Sequence, residues 1–355
     1  MRLGVLPQGL AEWLALRLNL VPTPLADGVF AMMACRALMA GVRLGIIDLL
    51  ATGPASAGAL ASRLGLDPMG TVALTEALVS GGYLERVGER YRLARRAGRW
   101  LDPNSPTYVG NLIRFNEDHW SWWSELEGVV TSGQPVSVHR TMEDSAAWRR
   151  YLLAMRDLAG LVANDVVASL RPPARPRRLL DIGGAHGVYA ATFCRRYPSL
   201  RATVLDLPPV ALIGAELSSA TNPDLDIEFR AGDARHDDLG AGYDIVLLFD
   251  VLHHFPAEEA RQLLGRAIAA LEPGGMIAVL EPTRASRPDQ LAALLHLHYF
   301  LASRGGVFAA DTLASWLAAA GCRGVRRRSL RRAPGLSLFS AYRAPATPLR
   351  SGGTG

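Results

Sequence analysis

From Arg178 onward the chain alternates short β-rich runs with helical stretches, and this constrains its fold more than any other feature. The runs are "RLLDIGG", "ATVLDL", "DIEFRAGD", "YDIVLLFDVL" and "GGMIAVLEP". Strands separated by helices pack as a parallel sheet covered on both faces, and such strands read as near-continuous Val, Ile and Leu. The expected class for this half is therefore α/β. The stretch "RPPARPRR" (171–178) breaks the preceding helix and reads as an exposed connector. A chain of 355 residues suits two domains. Their expected spans are 1–170 and 171–345, with a disordered tail at 346–355.

The first half has a different grammar. Residues 30–50, "FAMMACRALMAGVRLGIIDLL", predict one long helix that is apolar nearly all round and needs a cover, for which a partner subunit is a candidate. Ser56 and Asp67 are expected N-caps of two short helices. "GYLERVGERYRLA" alternates around a Gly–Glu turn and predicts a hairpin. Helix, turn, helix and hairpin form the winged-helix pattern. Its second helix, "MGTVALTEALVSGG", offers no Arg, Lys, Asn or Gln to read base edges. A protein scaffold is the favoured reading.

Charge supports that exclusion. The formal charge is +5, every basic residue is arginine, and residues 323–355 carry eight arginines and no acid. The rest is slightly acidic, so no positive field covers a folded face as phosphate binding requires. Cys35, Cys194 and Cys322 are too scattered for a zinc site or a disulfide framework, so no metal is expected and a reducing, cytoplasmic setting is. No signal peptide is read, and no uninterrupted apolar run approaches membrane-spanning length.

Chemistry concentrates after the first strand. Gly183, Gly184 and Gly187 in "LLDIGGAHGVY" allow a sharp turn and close approach to a ligand ahead of a helix. Asp206 ends the next strand, with Leu207 after it, where an acid can accept ribose hydroxyls. Asp233, followed by Ala234, ends the third, where a carboxylate can receive an adenine amino group. Dinucleotide loops place GxGxxG at a pyrophosphate. Here Asp181 lies two residues before the first glycine, which suits the cationic amine and sulfonium of S-adenosyl-L-methionine (SAM) better than phosphates.

Together "LLDIGGAHG", "VLDLPPV", "VLHHF" and "LEPGGMIAVLEP" resemble class I SAM-dependent O-methyltransferases of the caffeic acid and bacterial polyketide-tailoring type, over roughly residues 10–345. The resemblance implies an N-terminal, mainly helical, winged-helix-like dimerisation domain and a C-terminal Rossmann-like methyltransferase domain. It implies a homodimer acting on a hydroxyl of an aromatic or polyketide-like small molecule in secondary metabolism. The third loop glycine of the family is Ala185 here, expected to preserve the loop, and His186 is assigned to loop packing or the cofactor's edge.

The resemblance assigns His253 as general base, oriented by Glu281, with His254 where many members have Asp or Asn. The family's second glutamate falls at Phe308, and Phe249 stands where several members hold a basic residue near the cofactor. Met155 aligns with a methionine against the acceptor ring. Phe115, Asn116, His119, His298 and Phe300 are the remaining candidates for an aromatic-lined pocket. Two other readings stay open: a SAM-binding enzyme that decarboxylates, hydroxylates or catalyses pericyclic steps, and a ligand-sensing DNA-binding regulator.

Overall fold

The computed structural model describes residues 7, 9–142, 144–284, 289–330 and 332–345. The tail expected at 346–355 lies outside them. The chain divides into two compact units, one ending at Trp120 and the other starting at Ser121.

In the first unit, α1 (Leu10–Arg17) is followed by a helical turn at Thr23–Leu25 and a π turn at Ala26–Phe30, which run into α2 (Ala31–Arg43). The expected helix over 30–50 is broken, because Gly45 turns left-handed at φ +77 and caps a separate α3 (Ile46–Ala51). Ser56 accepts from the Ala59 N–H ahead of α4 (Ala57–Leu64), and Asp67 from the Gly70 N–H ahead of α5 (Pro68–Ser80). Both expected caps are present. The strands β1 (Ala55–Ser56), β2 (Leu84–Val87) and β3 (Arg90–Leu93) complete a winged helix, the β2–β3 hairpin turning at Gly88–Glu89. Then come α6 (Arg95–Leu101) and α7 (Gly110–Trp123), whose last turn contains the break between units. Val42, Ile46, Leu60, Leu78 and Leu84 form the core. Leu25, Val29, Phe30, Met32 and Met33 are exposed. The helical stretch Thr23–Arg43 is long and apolar enough to cross a membrane by length and composition alone, although Asp27 and Arg36 interrupt it.

The second unit begins with α8 (Leu126–Ser132), α9 (Val138–Thr141) and α10 (Ser145–Ser169). The aromatic-rich segment 114–130 is divided between two helices, α7 and α8. There follow β4 (Arg178–Ile182), α11 (Val188–Arg196), β5 (Arg201–Asp206), α12 (Pro208–Thr221), β6 (Ile227–Ala231) and β7 (Tyr243–Phe249). After a 3₁₀ turn at Leu252–His254 come α13 (Ala257–Ala269), β8 (Leu271–Arg284), α14 (Gln290–Ser303), β9 (Phe308–Ala309) and α15 (Ala310–Ala319). β10 (Cys322–Ser329) and β11 (Leu336–Arg343) close the unit.

The sheet order is β10-β11-β8-β7-β4-β5-β6, with β9 beside β8. Strands β4 to β8 are parallel, while β11 and the arginine-bearing edge strand β10 are antiparallel. Leu179, Leu180, Ile182, Ile245, Val246 and Leu248 are fully buried, each contributing about 1.5–3 kcal/mol. One hydrophobic cluster covers each face. From β4 the chain moves outward through β5 and β6, then returns to the other side of β4 as β7. That reversal opens a crevice at the carboxyl ends of β4 and β7, where open α/β sheets bind ligands.

Candidate active site

On the β4 side of the crevice the loop is built by its glycines. Gly183 is left-handed at φ +69, and a Cβ there would stand 2.5 Å from Val251 Cγ2. At Gly184 a Cβ would stand 2.5 Å from Asp181 Cγ, so the loop backbone lies directly over that carboxylate. Asp181 is 1% exposed, and neither oxygen makes a hydrogen bond. Burial, then the charge of Asp206, pushes its pKa up to about 7. A buried carboxylate without a donor is a costly feature. Its environment fits a cationic ligand group approaching over the glycines.

The neighbouring acids are engaged by the chain itself. Asp206 Oδ2 accepts from the Ala185 N–H at 2.9 Å and Oδ1 from the Leu207 N–H at 2.8 Å, which ties the ends of β4 and β5 together. Burial still holds its pKa near about 6. Each oxygen keeps a second lone pair for a ligand hydroxyl. Asp233 lies two residues beyond β6, where Arg235 grips both oxygens at 2.6–3.2 Å and holds its pKa below the usual carboxylate value. Half-buried Ala234 packs on the core. Phe249 is buried edge-to-face against Tyr189 with ring centres 4.8 Å apart, and so forms a floor. His186 is buried and neutral at neutral pH, its pKa lowered to about 3 chiefly by burial. Its Nδ1 accepts from the Val188 N–H at 3.1 Å, a loop-packing role.

On the β7–β8 side a buried histidine–carboxylate pair is fully assembled. Glu281, 0% exposed, accepts from the Val251 and Leu252 N–H groups at 2.9 and 2.7 Å through Oε1. Its Oε2 meets His253 Nδ1 at 2.7 Å. That bond assigns the proton of a neutral His253 to Nδ1 and leaves Nε2 as the acceptor. Tyr299 of α14 stacks on the imidazole, ring centres 3.8 Å apart and planes 20° apart. Asp250, His253 and Glu281 offer polar atoms within 4.8 Å of one another, close enough for a metal ion. The bonding of the set argues against one, because both Glu281 oxygens are already engaged.

An aromatic wall continues from this pair. His254 contacts His139 and Tyr299, and His139 stacks on Trp148 and meets Tyr151 edge-on. His298 stacks on Trp123 and accepts from its indole N–H at 3.2 Å. Burial lowers the pKa of His139 to about 4 and that of His254 well below the ordinary histidine value. His139 and His254 are therefore uncharged at neutral pH, and a wall so lined suits a flat, hydroxylated ligand.

Two family models divide the chain. Residues 26–103 match an O-methyltransferase dimerisation domain, and residues 113–323 an O-methyltransferase domain that spans more than half of the chain. The chain belongs to the O-methyltransferase family. It is 31% identical over 317 residues to a tetracenomycin polyketide synthesis 8-O-methyl transferase from Streptomyces glaucescens, covering 86% of this chain and 92% of the relative. It is 29% identical over 314 residues to a 3-hydroxy-5-methyl-1-naphthoate 3-O-methyltransferase from Streptomyces sahachiroi, covering 86% and 90%. The solved structure of the mitomycin 7-O-methyltransferase superposes with a TM-score of 0.79 at 26% identity, covering 95% of this chain and all of the other.

In this SAM-dependent O-methyltransferase the second unit brings together Asp181, Gly183, Gly184, Asp206, Leu207, Phe249, His253 and Glu281 at the ends of β4, β5, β7 and β8. Half-buried Met155 lies on α10 one turn after Tyr151. Phe115, Asn116 and His119 belong to the first unit. There Phe115 is fully buried against His119, and His119 Nδ1 lies 3.3 Å from Asn116 Oδ1. Phe308 meets Trp316 edge-to-face at 5.0 Å and packs on the core. Sequence reasoning passed over His139, Tyr151, Tyr299 and Asp250. Two of them were legible in part, since Tyr151 shares a helix face with Met155 and Asp250 stands inside the "FDVLHHF" string.

Proposed function

We propose that this chain methylates a hydroxyl of an aromatic, polyketide-like small molecule in secondary metabolism, acting as a cytoplasmic homodimer without nucleic-acid or membrane partners. The observation that carries the acceptor chemistry is the buried Glu281–His253 bond at 2.7 Å, set beside an aromatic wall. The two relatives that act on a polyketide and on a hydroxynaphthoate support the acceptor class. The dimerisation-domain match and the exposed apolar side chains of Thr23–Arg43 support pairing of subunits. Three free cysteines agree with a reducing compartment.

Bound SAM supplies an electrophilic methyl group on a sulfonium. Asp181 and the Gly183–Gly184 backbone would hold its cationic amino-acid end, Asp206 its ribose, and Asp233 with Ala234 its adenine, with Leu207 and Phe249 as apolar surfaces. For the acceptor, Met155 and the His298–Trp123 stack would hold the ring. His253 Nε2 takes the proton of the hydroxyl. A phenol with a pKa near 10 is a poor nucleophile at neutral pH until its proton is shared with such a base. Glu281 keeps the imidazole in the accepting tautomer and stabilises the imidazolium that forms.

Replacing His253 with Ala is expected to lower single-turnover methyl transfer by about 10²-fold or more, with SAM affinity by calorimetry unchanged. Transfer at the wild-type rate would overturn the assignment of the base.

A further inference from the structure

The "FDVLHHF" string holds one residue that neither the cofactor loop nor the proton-handling pair uses. Asp250 is the only residue of 245–253 that is not buried. Its backbone is left-handed at φ +55, a conformation that costs a non-glycine residue on the order of 1 kcal/mol. Its N–H donates to the Leu280 carbonyl at 2.8 Å, which pins the turn to β8 beside Glu281.

An Asp250 oxygen lies within 4.8 Å of polar atoms of both His253 and Glu281. The groups that feel its charge or act on it are His253, Glu281, Tyr151, Tyr189 and Tyr299. Tyr189 belongs to α11, which follows the cofactor loop, while Tyr151 and Tyr299 belong to the aromatic wall. Asp250 therefore stands where the two sides of the crevice meet. Among the described residues no side chain donates a hydrogen bond to its carboxylate, and none of the five neighbours carries a permanent positive charge.

We propose that Asp250 binds a second hydroxyl of the acceptor, adjacent to the one facing His253, so that the substrate class is a vicinal or peri-dihydroxy arene. The proposal rests on the methyl-transfer reading above. Neighbouring hydroxyls on one ring system are close enough to meet two side chains that stand no more than 4.8 Å apart, one each. A phenol donating to a carboxylate is a charge-assisted bond, stronger than a neutral one.

The test is calorimetric binding of 2,3-dihydroxynaphthalene and 2-naphthol to the full chain loaded with S-adenosylhomocysteine, which cannot transfer a methyl group. The wild type is expected to bind the diol about tenfold more tightly or better. Asp250→Gly suits the left-handed backbone and removes only the carboxylate. It is expected to bring the two affinities within about twofold, with S-adenosylhomocysteine affinity unchanged. Should that variant not fold, Asp250→Asn, also tolerated at positive φ, is expected to cut the preference at least about threefold. Equal binding by the wild type, binding of neither arene, or a preference that survives Asp250→Gly overturns the proposal. So does a loss of preference accompanied by an equal loss of S-adenosylhomocysteine affinity, which would assign Asp250 to the cofactor. Failure of the methyl-transfer reading shows separately, as absence of labelled product from wild type and SAM whichever arene binds.

Discussion

Asp181 and Glu281 are both buried acids on parallel strands that flank β7, one toward the end of β4 and the other within β8. Their hydrogen bonding is opposite. Glu281 is fully satisfied by two backbone N–H groups and His253, whereas neither Asp181 oxygen has a donor. On the proposed roles, the contrast separates two kinds of work. A group that orients a base is held before any ligand arrives, because a wandering imidazole loses its geometry. A group that recognises a cation stays underbonded, and its desolvation is offset when the ligand binds. The β7–β8 side would then be preorganised by the chain, and the β4 side completed by its ligand.

The largest effect should come from breaking the satisfied side. Glu281→Ala leaves two buried N–H groups without an acceptor and frees the imidazole. We expect a loss of about 3–5 kcal/mol in unfolding free energy. Glu281→Gln is the sharper probe, since an amide can still accept through one oxygen but cannot balance an imidazolium. Single-turnover transfer should fall about 100-fold at near-native stability, read by rapid quench and by denaturant melts. An unaltered rate would mean that Glu281 only supports the turn at Val251–Leu252.

The opposite response is expected from Asp181→Asn. A carboxyl whose folded pKa is about 7 instead of 3.8 binds a proton in the folded state that the unfolded chain has released. Its contribution to stability is full below 3.8 and is lost as pH rises toward about 7. The Asn variant should flatten that slope and melt higher than wild type at pH 8, by on the order of a few kcal/mol at most. Its affinity for SAM should nonetheless drop about tenfold or more. Parallel losses of stability and affinity would show that the comparison with Glu281 is false.

Much of this contrast was legible in the residues and part of it was not. The alternation of Val, Ile and Leu runs with helices predicted β4 to β8, because burial on both faces leaves near-continuous apolar runs, while the two-residue parallel strand β9 was too short to leave such a run. Asp181 stood out through its spacing to the glycines, and Glu281 through a family resemblance. What sequence could not carry is contact between residues distant in the chain. Nothing in the string around Tyr299 says that its ring lies on His253, 46 positions earlier. The helix over 30–50 was overextended because Gly45, one small residue in an apolar run, was not read as a left-handed turn.

Tyr299 gives a smaller test of the preorganised side. A ring stacked on an imidazole contributes about 0.5–1.5 kcal/mol, and more to the charged form. Tyr299→Phe keeps the ring and should leave transfer nearly intact. Tyr299→Leu removes that preference for the charged form and should slow transfer roughly tenfold while moving the acidic limb of the kcat–pH profile to lower pH. A slow Leu variant with an unmoved pH profile would reduce Tyr299 to a steric support.

The smallest effect concerns the loop itself. Ala185 takes a left-handed backbone at φ +45, so the chain pays strain where a glycine would not. The Ala185 N–H still donates to Asp206, which shows that the turn keeps its shape despite the Cβ. Replacement by Gly removes a left-handed penalty of about 1–2 kcal/mol but adds roughly 0.5–1 kcal/mol of backbone entropy to the unfolded chain. It also loses the contact of the Ala185 methyl with the cluster of Trp148, Leu152 and Ile213. The net change in stability should therefore be a gain of no more than about 1 kcal/mol, with SAM affinity within about twofold of wild type. A gain in SAM affinity larger than that would mean that the loop is held away from its relaxed shape, and that the proposed ligand-completed side is less passive than its underbonded carboxylate suggests.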